Sequence, residues 1–294
     1  MDIPSAAARR RGVIYYLLAI FFFALNDALG KWLVADHTVG QLLALRAVGA
    51  ALVLGPLAWR LKIDLTDRRR LGVQVLRVLF MAGDTFGFYY ATRTMPLADV
   101  MTFYMAAPII VTALSALLLR EEVEPLRWGA VALGFVGVVI ALRPSPDILS
   151  TASPIALAGA CMYGFGQIAT RSLRGAHWVH LVSWQFLGSG LIGAATFPFA
   201  WVTPSPFDLM LLFLLGIVAM MCFMFMTKSL AMAPASVVAP LIYTSILWAT
   251  ALGWLVWGDT LSLPVAIGNA LIILSGVIVM RMERRQTAKA LGAA

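Results

Sequence analysis

The chain has 294 residues, 61% of them hydrophobic and only 12% charged, with a formal net charge of +8. Soluble domains run at roughly 45–50% apolar and about 25% charged, so this composition excludes an ordinary water-soluble globule and places the chain in a membrane. The two cysteines, Cys161 and Cys222, lie inside apolar stretches, form no disulfide framework and have no metal-ligand spacing.

Ten apolar stretches of about twenty residues follow one another: 12–34, 38–59, 71–92, 96–119, 126–142, 153–173, 178–201, 207–227, 232–257 and 263–282. Each can cross a hydrocarbon core of about 30 Å as a helix. Span 1 runs past twenty residues and ends at Lys31-Trp32 rather than at a small-residue cleavage site, so it reads as a retained helix and not a signal peptide. Within it, FFFALNDALGKWLV places Asn26, Asp27 and Lys31 among apolar neighbours, with Asp27 and Lys31 four apart on one helical face. Span 2 carries Arg46 and span 3 carries Asp84. Counted inward from the outer ends, Asp27, Arg46 and Asp84 all lie roughly 12–13 Å deep at 1.5 Å per residue, so they can meet at one level.

An ionisable side chain at mid-bilayer costs about 2.5–3.5 kcal/mol on insertion scales, so these groups need partners or water. Two readings stand. The cluster Asp27–Lys31–Arg46–Asp84 is a structural ion-pair network that locks the first half together, or some of its members line a central cavity and act on a charged substrate or a proton.

Span 4 contains Tyr104 between Pro96 and Pro108, and span 9 contains Pro234, Pro240 and Tyr243. Proline inside a span frees a carbonyl and weakens the helix, which makes these four the candidate hinges. Spans 5 and 10 are glycine-rich, with Gly129, Gly134, Gly137, Gly268 and Gly276, and read as close-packing scaffolds outside any pathway. Span 6 has Tyr163 and Gln167, and span 7 has Trp184 and Gln185. Tyr104, Tyr163, Trp184 and Tyr243 fall within spans rather than only at interfaces and are the candidate wall of an apolar or aromatic binding site; Asn26, Asp27, Arg46, Asp84 and Gln185 are its candidate polar groups.

Lys and Arg concentrate on one side of the spans: Arg9 to Arg11, the 60–70 segment, Arg120 and Arg127, Arg171 and Arg174, Lys228, and the final Arg281, Arg284, Arg285 and Lys289. The positive-inside bias then places both termini in the cytoplasm, and Arg68-Arg69-Arg70 reads as part of that signal rather than as a nucleic-acid patch.

The sequence also repeats itself at about 137 to 140 residues. TRTMPLADVMTFYMAAP (92–108) resembles TKSLAMAPASVVAPLIY (227–243), Lys31-Trp32-Leu33 matches Arg171-Ser172-Leu173, and Gly129 with Gly137 matches Gly268 with Gly276. Each unit has five spans, 1–145 and 146–294, and an odd number inverts the second copy in the membrane. The expected fold is therefore an all-α integral membrane protein of ten helices in two inverted five-helix repeats. Gln167 and Gln185 stand where the first repeat has Asp27 and Arg46.

On the duplicated unit, Arg46, the openings of spans 4 and 9, the turn Arg120-Glu121-Glu122 before Trp128-Gly129, and Gly258-Asp259 before Gly268, the chain resembles the drug/metabolite transporter superfamily in its EamA-type ten-helix branch. Within that branch it is most similar to the bacterial aromatic amino-acid exporters of the YddG type. Gly258-Asp259 departs from the acidic Gly-Glu usual at that turn, and the second repeat has no arginine equivalent to Arg46. The resemblance implies a monomeric, multi-pass carrier in the bacterial inner membrane. It would export aromatic and other hydrophobic amino acids, or else hydrophobic or cationic drugs, by alternating access, with protons as a candidate coupling ion. No cofactor or metal is expected. Enzyme motifs are missing: Ser189 lacks the glycine two places before it that a nucleophile elbow needs, His/Glu metal motifs are absent, and there is no phosphate-binding loop for ATP.

Overall fold

A computed structural model describes residues 6–66, 70–94, 100, 103–142, 152–198, 201–252 and 263–292. The described residues form helices and turns, with no strand among them. In chain order the helices are α1 (Ala6–Asp36), α2 (Val39–Arg60), α3 (Leu71–Thr94), α4 (Ala107–Leu118), α5 (Pro125–Leu142), α6 (Ser153–Ser172), α7 (Trp178–Ala194) and α8 (Pro206–Met232). They are followed by α9 (Ala235–Val238), a 3₁₀ segment (Ala239–Tyr243), α10 (Thr244–Leu252) and α11 (Leu263–Gly292). Ala7–Asp36, Val39–Arg60, Leu71–Thr92 and Pro206–Met232 are each long and apolar enough to cross a membrane alone.

The outside of the bundle is apolar as well as the inside. Leu52, Leu79 and Leu187, all near mid-helix, are more than half exposed. A surface of this kind suits lipid, which has no hydrogen bonds to lose and leaves backbone polar groups satisfied within each helix. Inside, the main core joins Tyr16 and Ile20 of α1, Leu54 of α2, Met81 of α3, Ile168 of α6, Phe186 of α7 and Phe223 of α8.

Helices pair in a regular way: α1 lies along α8 and α3 along α6, α2 on α8 and α3 on α7, while α2 packs on α7 and α5 on α11. Shifting every helix by five spans turns α1–α8 into α6–α3 and α2–α8 into α7–α3, and returns α2–α7 and α5–α11 to themselves. In the α5–α11 pair, a Cβ on Gly137 would press on the Gly268 carbonyl, and one on Gly268 on the Gly137 carbonyl. Gly134 lies against the Tyr243 ring. Gly129 and Gly276 differ from the expected packing role, since a Cβ on either would meet nothing within 4 Å.

Three of the four candidate hinge prolines stand at the start of helical segments rather than inside continuous ones. Pro108 sits in the first turn of α4, just after the Met105–Ala106 turn, and Pro240 in the first turn of the 3₁₀ segment. Pro234 precedes α9 in an extended conformation. Without an amide hydrogen, proline is tolerated at such starts, where the donor has no helical partner anyway. Pro96 lies outside the described residues.

Both ends of the bundle are tied across the two halves. At one end the chain leaves α4 through Arg120 in a left-handed conformation (φ 53°), and the Glu121 amide closes on the Ser115 carbonyl at 3.1 Å. This aims Glu121 at Arg171, whose Nε donates to Glu121 Oε1 at 3.0 Å and whose Nη1 donates to the Leu230 carbonyl at 2.7 Å. At the same end His180 Nδ1 lies 3.0 Å from the Asp64 carbonyl, and Arg70 donates to the Ser172 carbonyl at 2.6 Å. At the other end Thr38 caps α2 and Ser205 caps α8, Gln41 exchanges two hydrogen bonds with the Val202 backbone, and His37 Nε2 lies 3.8 Å from Asp208 Oδ2.

Candidate functional site

The three helices of the first half bring their ionisable groups to one place. Arg46 on α2 is 4% exposed and lies within Coulombic reach of Asp27 on α1 and of Asp84 and Tyr89 on α3. Gly216 of α8 sits on the Arg46 carbonyl, where a Cβ would collide, so the α2–α8 crossing fixes the depth of this arginine. Gly30 of α1 leaves room for the Tyr89 hydroxyl in the same way. The three groups to which the residue count gave one depth lie near one another in the interior.

They meet without closing into ion pairs. Among the described residues Arg46 has no hydrogen bond or contact salt bridge, and its Nε is buried without a partner. Asp27 accepts one weak bond, from Asn26 Nδ2 at 3.3 Å, while the Asn26 carbonyl oxygen and the Tyr89 hydroxyl are buried and unpartnered. The Lys31 side chain lies outside the described residues. In a low-dielectric interior a buried charge without a hydrogen-bonding partner is costly, so the cluster has open valences that a charged solute can fill.

Next to it stands an aromatic and amide wall. Tyr104 donates to the Asp84 backbone carbonyl at 2.9 Å, and its hydroxyl occupies the space that Gly159 leaves. Gln167 of α6 donates to Tyr16 at 3.1 Å and to Tyr163 at 2.5 Å, with its own carbonyl oxygen left unpartnered. Tyr163 lies within Coulombic reach of Asp84, which joins the two groups. Phe23, from the phenylalanine run that opens the charged segment, meets Tyr163 edge-on with ring centres 6.4 Å apart, and Phe223 at 6.3 Å. Phe21 and Phe22 point to other neighbours, Trp248 and Phe225.

Two of the expected wall residues stand elsewhere. Trp184 donates its indole N–H to the Leu65 carbonyl in the α2–α3 connection, at the end of the bundle. Tyr243 packs with Met105, Val138 and Ile272 in the satellite core between α5 and α11. Gln185 is buried, with its carbonyl oxygen unpartnered. Tyr16, which the sequence reading did not single out, is 2% exposed and belongs to the interior. Arg77 is also fully buried, held by Gln74 and the Leu181 carbonyl.

An apolar exterior around an interior that holds Asp27, Arg46 and Asp84 defines a multi-pass membrane protein. The chain belongs to the EamA-like transporter family, which it matches over residues 10–143 and again over 151–281. It is 26% identical over 95% of its length to a riboflavin transporter of Rhizobium johnstonii, covering 93% of that protein. It is 24% identical over 94% to a pseudopaline exporter of Pseudomonas aeruginosa, covering 98% of it, and 21% identical over 93% to an S-adenosylmethionine uptake transporter of Rickettsia prowazekii, covering 94%. A protein of known crystal structure shares the fold with a TM-score of 0.82 at 18% identity, over 96% of this chain and 99% of that one.

Proposed function

We propose that this transporter exports amino acids, aromatic and other hydrophobic ones foremost, through a site centred on Asp27, Arg46 and Asp84. The observation that carries this reading is the open valence of that cluster, a buried guanidinium and two carboxylates within Coulombic reach and without contact ion pairs. An α-amino acid supplies the complement, its carboxylate to Arg46, whose Nε has no partner, and its ammonium to a carboxyl group, with charge-assisted bonds at both ends. Asn26 and Gln185 add polar contacts to that head, while Tyr104, Tyr163 and Phe23 face the apolar body. S-adenosylmethionine, the solute named for the Rickettsia relative, likewise joins an amino-acid head to an aromatic base.

The same reading makes 1–145 and 146–294 two inverted repeats that rock between states open to either side, with Pro96, Pro108, Pro234 and Pro240 as hinges. The double family match and the exchange of helix pairs under a five-span shift support it. Both termini then face the cytoplasm of a bacterial inner membrane, and the working unit is the monomer. Single cysteines at Ser5, Ser205 and Thr287 in a chain lacking Cys161 and Cys222 test this orientation: an impermeant thiol reagent added outside cells labels only Ser205.

Two carboxylates against one arginine also favour a second reading, export of hydrophobic or cationic drugs. Competition in liposomes containing only this protein separates the two. On the amino-acid reading Phe, Tyr, Trp and long aliphatic amino acids compete with one another while indole and phenol do not, because a solute without the head leaves buried polar groups unpaired. Equal competition by the uncharged rings favours the drug exporter.

A further inference from the structure

A second recess lies away from the charged cluster, at the end of the bundle where α6 turns into α7. It is an open recess of about 430 Å³ between α1, the α6–α7 connection, α7 and α8. Three features of its wall point to one ligand chemistry. Lys228 holds its ammonium 4.5 Å from the centre of the Trp178 ring and 5.9 Å from that of Tyr15, and neither Lys228 nor Arg174, which also lines the recess, meets a carboxylate among the described residues. Thr227 lines it too, is 3% exposed, and has a hydroxyl without a hydrogen-bond partner. Finally, α7 starts there: His177 caps the helix by accepting from the Val179 amide at 3.3 Å, which leaves other first-turn donors and the positive end of the helix dipole at the wall.

We propose that this recess binds a phosphate-bearing anion. Lys228 and Arg174 supply the charge, while Thr227 and the start of α7 supply hydrogen bonds. Leu181 and Met232 on the same wall seat an apolar remainder. The volume falls in the range of small-ligand pockets, roughly 300–1,000 Å³, and leaves room for more than a bare phosphate. Phosphate of this kind comes from an anionic phospholipid headgroup or from a soluble phosphate ester. The site is separate from the amino-acid reading and does not depend on it.

The test uses the full chain in neutral detergent with two probes. Native mass spectrometry with equal amounts of phosphatidylglycerol and phosphatidylcholine measures lipid retention, and thermal shift with glycerol 1-phosphate and inorganic phosphate measures soluble ligands. A lipid source gives selective retention of phosphatidylglycerol and no shift by the soluble probes; a soluble source gives a shift. In either case the double variant Lys228→Gln/Arg174→Gln weakens binding about tenfold or more, as loss of charge-assisted bonds requires, and Lys228→Arg retains it. Arg60→Gln, an exposed charge at the same end, leaves binding unchanged. Thr227→Val, which alters neither charge nor shape, weakens it about threefold or more. Binding that survives the double variant, full binding by Thr227→Val, or no selective binding of any probe overturns the assignment.

Discussion

The two halves of the chain share a helix order and a packing pattern but not a chemistry. In α1 to α3 the interior carries the ionisable groups Asp27, Arg46 and Asp84, without contact ion pairs among the described residues, whereas the aligned positions in α6 and α7 are Gln167 and Gln185, and α8 carries no ionisable Asp, Glu, Lys or Arg between Asp208 and Lys228. Gln167 is engaged, with its amide spent on two tyrosines. A duplicated frame has therefore kept its packing on both sides while only one side carries ionisable groups at this place. On the proposed reading the first half grips the ionic head of the solute, and the second half, whose Gln167 amide is held by its own Tyr163 and by Tyr16 of the first, closes against the body.

The strongest way to break this comparison is to make the halves alike. Arg46→Gln copies Gln185 into the first half and strands two carboxylates in the interior, so transport of a zwitterionic solute should fall about 100-fold, within the range for truncating one side of a buried charge pair. Adding Asp27→Asn or Asp84→Asn should restore part of the loss of folded protein, because the pair then disappears together; strict additivity in both double variants would show that the three groups do not act on one another. Initial uptake rates and the folded yield on size exclusion separate the two effects.

A second change addresses what the halves have in common. The α5–α11 pair is its own counterpart, and Gly268→Val forces a branched side chain into the Gly137 backbone, at a cost of about 1–3 kcal/mol or more from overpacking. Gly276→Ala should leave the melting temperature unchanged or slightly raised, since nothing stands within 4 Å of its Cβ position. Equal loss in both variants would mean that the pair is held by glycine content and not by one crossing point.

The sequence exposed the charged half more readily than the neutral one, for physical reasons. An ion in an apolar run has no inconspicuous explanation, and counting residues from the ends of spans 1, 2 and 3 was enough to put Asp27, Arg46 and Asp84 at one depth. The count could not tell contact ion pairs from charges held apart, because side-chain reach spans the difference. Facing was also hidden: spans that are apolar all round have no stripe to show which side looks inward. Trp184 and Tyr243 were accordingly assigned to the wall, but one binds the α2–α3 connection and the other fills the α5–α11 core. The Tyr16–Gln167 contact joins residues 151 apart, and no local pattern announces it. The prolines marked the breaks in spans 4 and 9, but not that Ala239–Tyr243 would tighten into a 3₁₀ segment.

Tyr163→Phe sharpens the contrast from the second half with a smaller effect. It removes one of the two acceptors of the Gln167 amide and leaves the ring in place against Phe23. One hydrogen bond is worth about 1 kcal/mol net, so affinity or stability should change about fivefold, with selectivity among aromatic side chains largely kept. A loss as large as that of Arg46→Gln would place the ionic grip in the wrong half.

The smallest effect is at the two crossings by which each half holds a connecting segment of the other. Gln41 holds the Val202 backbone at one end and His180 meets the Asp64 carbonyl at the other, so only the second crossing has a carboxyl group in its connecting turn. The Thr66 hydroxyl donates to Asp64 Oδ1 at 2.7 Å and the Thr66 amide at 2.8 Å, and these bonds, the hydroxyl's first, hold the Asp64 carboxyl below the ordinary carboxylate range. A carboxyl depressed in the folded state adds stability above its unfolded pKa of about 3.9 and loses it as pH falls through the folded value. The group is fully exposed, so the contribution is slight. Wild type should therefore melt marginally above Asp64→Asn at pH 7 and at pH 5, and the gap should close as pH falls below about 4. For Gln41→Met the gap should be the same across that range, since neither group of that contact titrates. A difference for Asp64→Asn that widens toward acid would reverse the sign and show that the carboxyl is destabilising where it sits.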